Sequence, residues 1–173
     1  MKYILVCLII SCFYSFSSAQ SKNEILEDIR DIVETIHMDT SLKSVTLLNE
    51  EFIDNMTDGG GELTGFYKNK KIYNIYRSVG ISYGEEIMQF YYWKNMLVFV
   101  SEKFNTYVYD DSSKAFDYTV LNTTFTGKYY FDKEKLIHKV ITGKKNFDDN
   151  SVDIEKSLLE ESKGNIELIK KRM

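Results

Sequence analysis

From residue 43 to residue 142 the chain is a succession of short runs rich in Tyr, Phe, Ile, Val and Thr, each closed by a tight polar connection. That rhythm limits the fold more than any other feature does. β-branched and aromatic side chains suit a pleated, half-buried surface, and short connections can join only antiparallel neighbours. Nine runs are expected as strands: 44–48, 63–67, 72–79, 85–93, 96–101, 106–109, 118–121, 124–131 and 136–142. In the run 85–93 both faces are apolar, with Ile87, Tyr91 and Trp93 on one and Met88, Phe90 and Tyr92 on the other. The run 96–101 is likewise apolar on both sides, whereas 124–131 sets Phe125, Tyr129 and Phe131 against Thr124, Thr126 and Lys128. The middle hairpin should therefore be central and covered twice, and the later one should lie nearer an edge.

The ends of the chain have a different period. Ser21 and Glu24 form a capping box, after which Ile25, Ile29, Ile32, Val33 and Ile36 recur at helical spacing. Residues 151–172 form a second candidate helix, acidic at Asp153 and Glu155 and basic at Lys170, Lys171 and Arg172, as the helix dipole favours. Its stripe (Ile154, Leu158, Leu159, Ile166 and Ile169) is interrupted at Gly164. The fold class is α+β: an antiparallel meander of 7–9 strands flanked by an N-terminal and a C-terminal helix. The two helices account for one covered sheet face and leave the other open. Proline is absent, so no rigid linker divides the chain, and residues 20–173 are expected as one domain.

Residues 1–19 are expected as a signal peptide. Lys2 begins it, residues 3–12 form an apolar run too short to span a bilayer, and Ser17, Ser18 and Ala19 form a small-residue cleavage site. The rival reading is a lipoprotein anchored through Cys12. Cys7 and Cys12 are the only cysteines, so cleavage after Ala19 removes disulfides, cysteine nucleophiles and thiolate metal sites together. The destination is the periplasm or the exterior. Net charge is −4, and loss of Lys2 makes it more negative. The basic clusters are Lys68 to Lys71, Lys144-Lys145 and Lys170 to Arg172, with no stripe of the kind nucleic acid requires.

The stretch DNMTDGGGELTGFY (54–67) concentrates glycine beside acid. A phosphate loop would need its glycines before a helix, and these precede a strand. Asp54, Asp58 and Glu62 occupy three positions of an EF-hand-like calcium loop, but Met56 and Gly65 stand where oxygen ligands belong. The plainer reading is a turn whose glycines permit positive φ. His37 ends the first helix and His138 lies on a strand, without a serine elbow nearby. The acid pairs Glu50-Glu51, Glu85-Glu86, Asp110-Asp111 and Asp148-Asp149 read as solvated surface. The aromatics offer the better lead, because Tyr and Trp bury area while keeping a polar tip wet. Tyr67, Tyr73, Tyr76, Tyr91 and Trp93 are the candidate binding residues; the opposing reading is that they fill the core. No cofactor is implied.

The hairpins GFYKNKKI and YYFDKEKL resemble the Gly-aromatic-aromatic-x-Asn-Gly-Lys-Leu units of MORN-variant repeat proteins, with Lys70 and Glu134 in place of the turn glycine. The whole layout is similar to uncharacterised exported bacterial proteins with the same order of pieces. That resemblance implies a β-meander and an interaction role, with no catalytic residue to carry over. The expectation is an exported, non-enzymatic module binding a protein, peptide or glycan through an aromatic sheet face. The alternatives are an envelope hydrolase using loop carboxylates, or a structural homodimer closed through the uncovered face.

Overall fold

The computed structural model describes residues 21–54, 57–145 and 152–173. The expected leader lies outside these residues, and so do Met56 and the Asp148-Asp149 pair. The chain begins with α1 (Lys22–Met38), whose Ser21 and Glu24 make the reciprocal capping bonds expected of them. Seven strands follow: β1 (Lys43–Leu48), β2 (Gly61–Lys68), β3 (Lys71–Ile81), β4 (Gly84–Trp93), β5 (Met96–Asp110), β6 (Ala115–Asp132) and β7 (Lys135–Gly143). Helix α2 (Ile154–Arg172) closes the chain, capped by the Asp153 carboxylate accepting from the Lys156 N–H. The strands form one sheet in sequence order, every neighbour antiparallel. Among the described residues no helix is long and apolar enough to cross a membrane.

The two helices lie on opposite faces of the sheet, which corrects the expectation that they share one. Helix α2 sends Leu158 and Ile169 into a core with Leu47, Leu63, Ile75, Phe90, Val100 and Tyr129. Gly65 leaves the room beneath Ile169, since a Cβ there would stand 2.5 Å from its Cγ2. Helix α1 sends Leu26, Ile29 and Ile36 onto the other face against Tyr91, Val98, Phe99 and Tyr130. The parity of β4 and β5 is thereby explained: Phe90 and Val100 meet one helix while Tyr91 and Phe99 meet the other. The hairpin expected to be central is covered on both sides, and β7 is an edge.

Three hairpins share one construction. The turns at Asn69-Lys70, Lys94-Asn95 and Lys133-Glu134 have two central residues each, all at positive φ, the primed geometry that matches strand twist. In each, the register shifts at the aromatic pair before the turn, at Phe66/Tyr67, Tyr91/Tyr92 and Tyr130/Phe131. Each shift seats the opposing extra residue (Tyr73, Val98 or Ile137) on the α1 face, with the core there.

Nine expected strands become seven because two pairs of runs fuse. β5 continues through 96–110 and β6 through 115–132, with register shifts at Phe104/Asn105 and Tyr107/Val108 absorbing the polar breaks. Residues 107–121 thus pair only with each other among the described strands, a two-stranded arm beyond the sheet. Its tip is tied by Asp110, whose carboxylate accepts from the Ser112 N–H (2.9 Å) and hydroxyl (2.7 Å). Those bonds hold the Asp110 pKa at about 2.

The glycine run is structural. Gly60 has φ of +66°, and a Cβ on Gly59 would stand 2.7 Å from the backbone of Gly80. Gly60 and Gly80 backbones bond at 2.9 Å, so the run lets the start of β2 press against β3.

Candidate binding cleft and a buried ionic network

Helix α1 packs chiefly over β4, β5 and β6. Beside its C-terminal end the same sheet face stays open over β2 and β3, forming a cleft of about 370 Å³. The sheet contributes Phe66, Asn74, Tyr76, Gln89 and Tyr91; the helix end and its connection contribute Ile36, His37, Asp39, Thr40 and Leu42. Sheet register brings this set together, since Phe66 stands opposite Asn74, Asn74 opposite Tyr91, and Tyr76 opposite Gln89.

The polar groups of the cleft are held in place. The Asn74 amide donates to the Phe90 carbonyl at 3.2 Å. The Tyr91 hydroxyl donates to the Gln89 side-chain carbonyl at 2.7 Å, which fixes the amide plane and points the Gln89 donors away from Tyr91. Burial raises the Tyr91 pKa, so the phenol stays a donor. Asp39 accepts from the Ser41 hydroxyl and backbone N–H, with Lys68 at 3.5 Å, and these hold its pKa below the ordinary value. The result is an aromatic floor with amide, hydroxyl and imidazole groups at its margin, a composition suited to a polar ligand with an apolar face.

The five aromatic residues expected to bind fall on three surfaces. Tyr76 lines the cleft half-buried, and Tyr91 lies buried beneath it. Tyr67 is half-buried on the opposite face, against the α2 core. Tyr73 and Trp93 pack beside the α1 core and line a hollow of about 120 Å³ with Lys71, Lys94 and Asn95. His37 borders the cleft, and the His138 ring packs on Tyr130 with centroids 5.6 Å apart. Of the calcium candidates, Asp54 and Asp58 are exposed, while Glu62 accepts from the Thr64 hydroxyl at 2.6 Å. Among the described residues no three His, Cys, Asp or Glu side chains gather as a metal site.

Sequence reasoning missed a network of charges on the α2 face. Arg77 bonds Glu86 at 3.0 Å and approaches Glu161 of α2 at 3.4 Å. Lys145 reaches back from beyond β7 to Glu86 at 3.0 Å and to Glu102, its ammonium also lying 5.3 Å from the Phe125 ring centre. The Tyr129 hydroxyl donates to Glu102 at 2.9 Å. Burial opposes ionisation of Glu86, but Lys145 and Arg77 outweigh it and lower its pKa. Burial raises that of Glu161, with Arg77 only partly offsetting it. The signal was available: Glu86 and Glu102 take the same parity as Met88 and Val100, so both acids point inward from an apolar face.

No family model, curated protein or solved structure matches this chain.

Proposed function

We propose that this chain is an exported, non-enzymatic binding module that holds a peptide or glycan in the cleft between the end of α1 and strands β2–β4. The observation that carries the reading is the composition of that cleft: Phe66, Tyr76 and Tyr91 present ring surface while Gln89, Thr40 and His37 offer hydrogen-bonding groups around it. Tyr76 is the stacking surface and Gln89 the oriented donor. A cleft of this size and lining suits a short segment of a larger ligand.

Calorimetric titration with envelope peptides and with soluble glycan fragments tests the proposal. Binding should weaken at least tenfold in Tyr76→Ala with the melting temperature little changed, because Tyr76 is half-buried and outside both cores. A ligand that binds Tyr76→Ala and Gln89→Ala as tightly as the parent protein places recognition elsewhere and refutes the cleft assignment.

A further inference from the structure

The meander brings lysines that are distant in sequence to one end of the sheet. The β2–β3, β4–β5 and β6–β7 turns all lie there, carrying Lys68, Lys70, Lys71, Lys94, Lys133 and Lys135, every one exposed. Asp132 and Glu134 oppose them within those turns, and from the helix ends Asp39 pairs with Lys68 at 3.5 Å and Glu155 bonds the Leu136 N–H. In the sequence only Lys68 to Lys71 of this set stand together; the topology makes a row. Strands lie about 4.8 Å apart, so successive turns stand about 10 Å apart and the row is roughly 20 Å long. The connections at the opposite end carry Glu50, Glu51, Asp54, Asp58 and Asp111, with Lys114 beside Asp111 at 3.8 Å and Asp110 at the end of β5. That end is about 30 Å away at some 3.3 Å per residue, several Debye lengths in physiological salt. A surface touching the turns therefore experiences a cationic molecule although the chain as a whole is anionic.

Each turn keeps a lysine in the left-handed region, with φ of 61° at Lys70, 52° at Lys94 and 50° at Lys133. Lys114, in the β5–β6 turn at the opposite end, has the same conformation with φ of 54°, so it is the number of exposed lysines, not their backbone, that sets this end apart. Beside the middle turn the only tryptophan, Trp93, lines a hollow with Tyr73, Lys71 and Lys94. Amphipathic rings flanked by lysines are the groups that settle at a bilayer interface.

We propose that this end of the sheet docks on an anionic lipid bilayer, with the turn lysines meeting phosphate headgroups and Trp93 entering the headgroup layer. The docking is electrostatic and reversible.

The test uses the protein without residues 1–19, which lie outside the described fold, and vesicles of mixed phosphatidylglycerol and phosphatidylcholine. The protein should sediment with these vesicles and not with pure phosphatidylcholine, its Trp93 emission should shift to the blue, and binding should fall as salt rises. The combined variant Lys70→Asn, Lys94→Asn, Lys133→Asn keeps residues that accept positive φ, so folding, followed by circular dichroism, should persist. Its affinity should drop about a hundredfold, at about fivefold for each lysine. Equal binding to neutral vesicles, no binding to anionic ones, or undiminished binding by the triple variant would each overturn the proposal. So would an equal Trp93 shift with inorganic phosphate alone, which would mean a soluble anion site instead.

Discussion

Strand β5 is two different environments in one continuous element. Its first half, Leu97 to Val100, lies between the helices, with Val100 wholly buried. Its far end, from Tyr107 to Asp110, belongs to the arm, where Tyr109 is 49% exposed and Tyr118 on the paired strand 65%. Both halves are rich in aromatic residues, and both make ring contacts: Phe99 meets Tyr130 at 5.0 Å, and Tyr107 meets Tyr118 at 5.0 Å. What separates them is coverage. The inner rings lose water to a helix on each face, while the outer rings shield only one another, and a two-stranded ribbon alone is marginal in water. Strand propensity thus decides where a strand forms, and helix coverage decides how firmly it is held.

Substitutions along this contrast should differ widely in effect. Phe90→Ala, in a wholly buried side chain between β3 and β5, should cost about 3–5 kcal/mol in denaturant unfolding. Lys145→Met should cost about 3 kcal/mol, because Glu102 would remain nearly dry with only Tyr129 as its partner. A loss under 1 kcal/mol would show that Glu102 takes up a proton or water instead.

The ionic network also sets a pH dependence. Glu86, whose folded pKa is lowered, contributes stability that is present above its unfolded pKa and lost as pH falls through the folded one. Glu161, whose folded pKa is raised, acts in the opposite sense, because its folded form takes up a proton first. Replacing Glu161 by Gln should therefore raise stability at neutral pH and steepen the loss on acidification. Thermal melts across the carboxylate range would reveal it, and a parallel pair of pH profiles would exclude it.

Two changes should be small. Gly164→Ala meets open space on α2 and should stabilise by about 1 kcal/mol through helix propensity. Tyr118→Ala, on the arm, should change global stability by no more than about 0.5 kcal/mol. A larger loss there would mean that the arm is part of the cooperative core, erasing the contrast drawn above.

Much of this architecture was legible in the sequence for a local reason. The capping box at Ser21, the β-branched runs and the polar turns each depend on neighbouring residues alone, and parity in β4 was enough to place the central hairpin. The sidedness of the helices was not legible, since an isoleucine stripe shows that a helix has an apolar face without saying which sheet face receives it. The sequence divides β5 and β6 because Asn105, Asn122 and Thr123 look like strand ends, whereas register shifts carry the pairing past them. The cleft needs Phe66, Asn74 and Gln89 to be aligned by register, and of its residues the sequence marks only Tyr76 and Tyr91 as binding candidates. The lysine row needed topology too, since its three turns are separated by more than twenty residues each.

Residue-resolved amide hydrogen exchange would examine the decisive point with no ligand in hand. If two helices clamp the middle of the sheet, amides of β4 and the inner half of β5 should exchange only on global unfolding, while those of residues 108–121 open locally and far faster. Comparable protection along the whole of β5 would contradict this picture and require another layer over the arm.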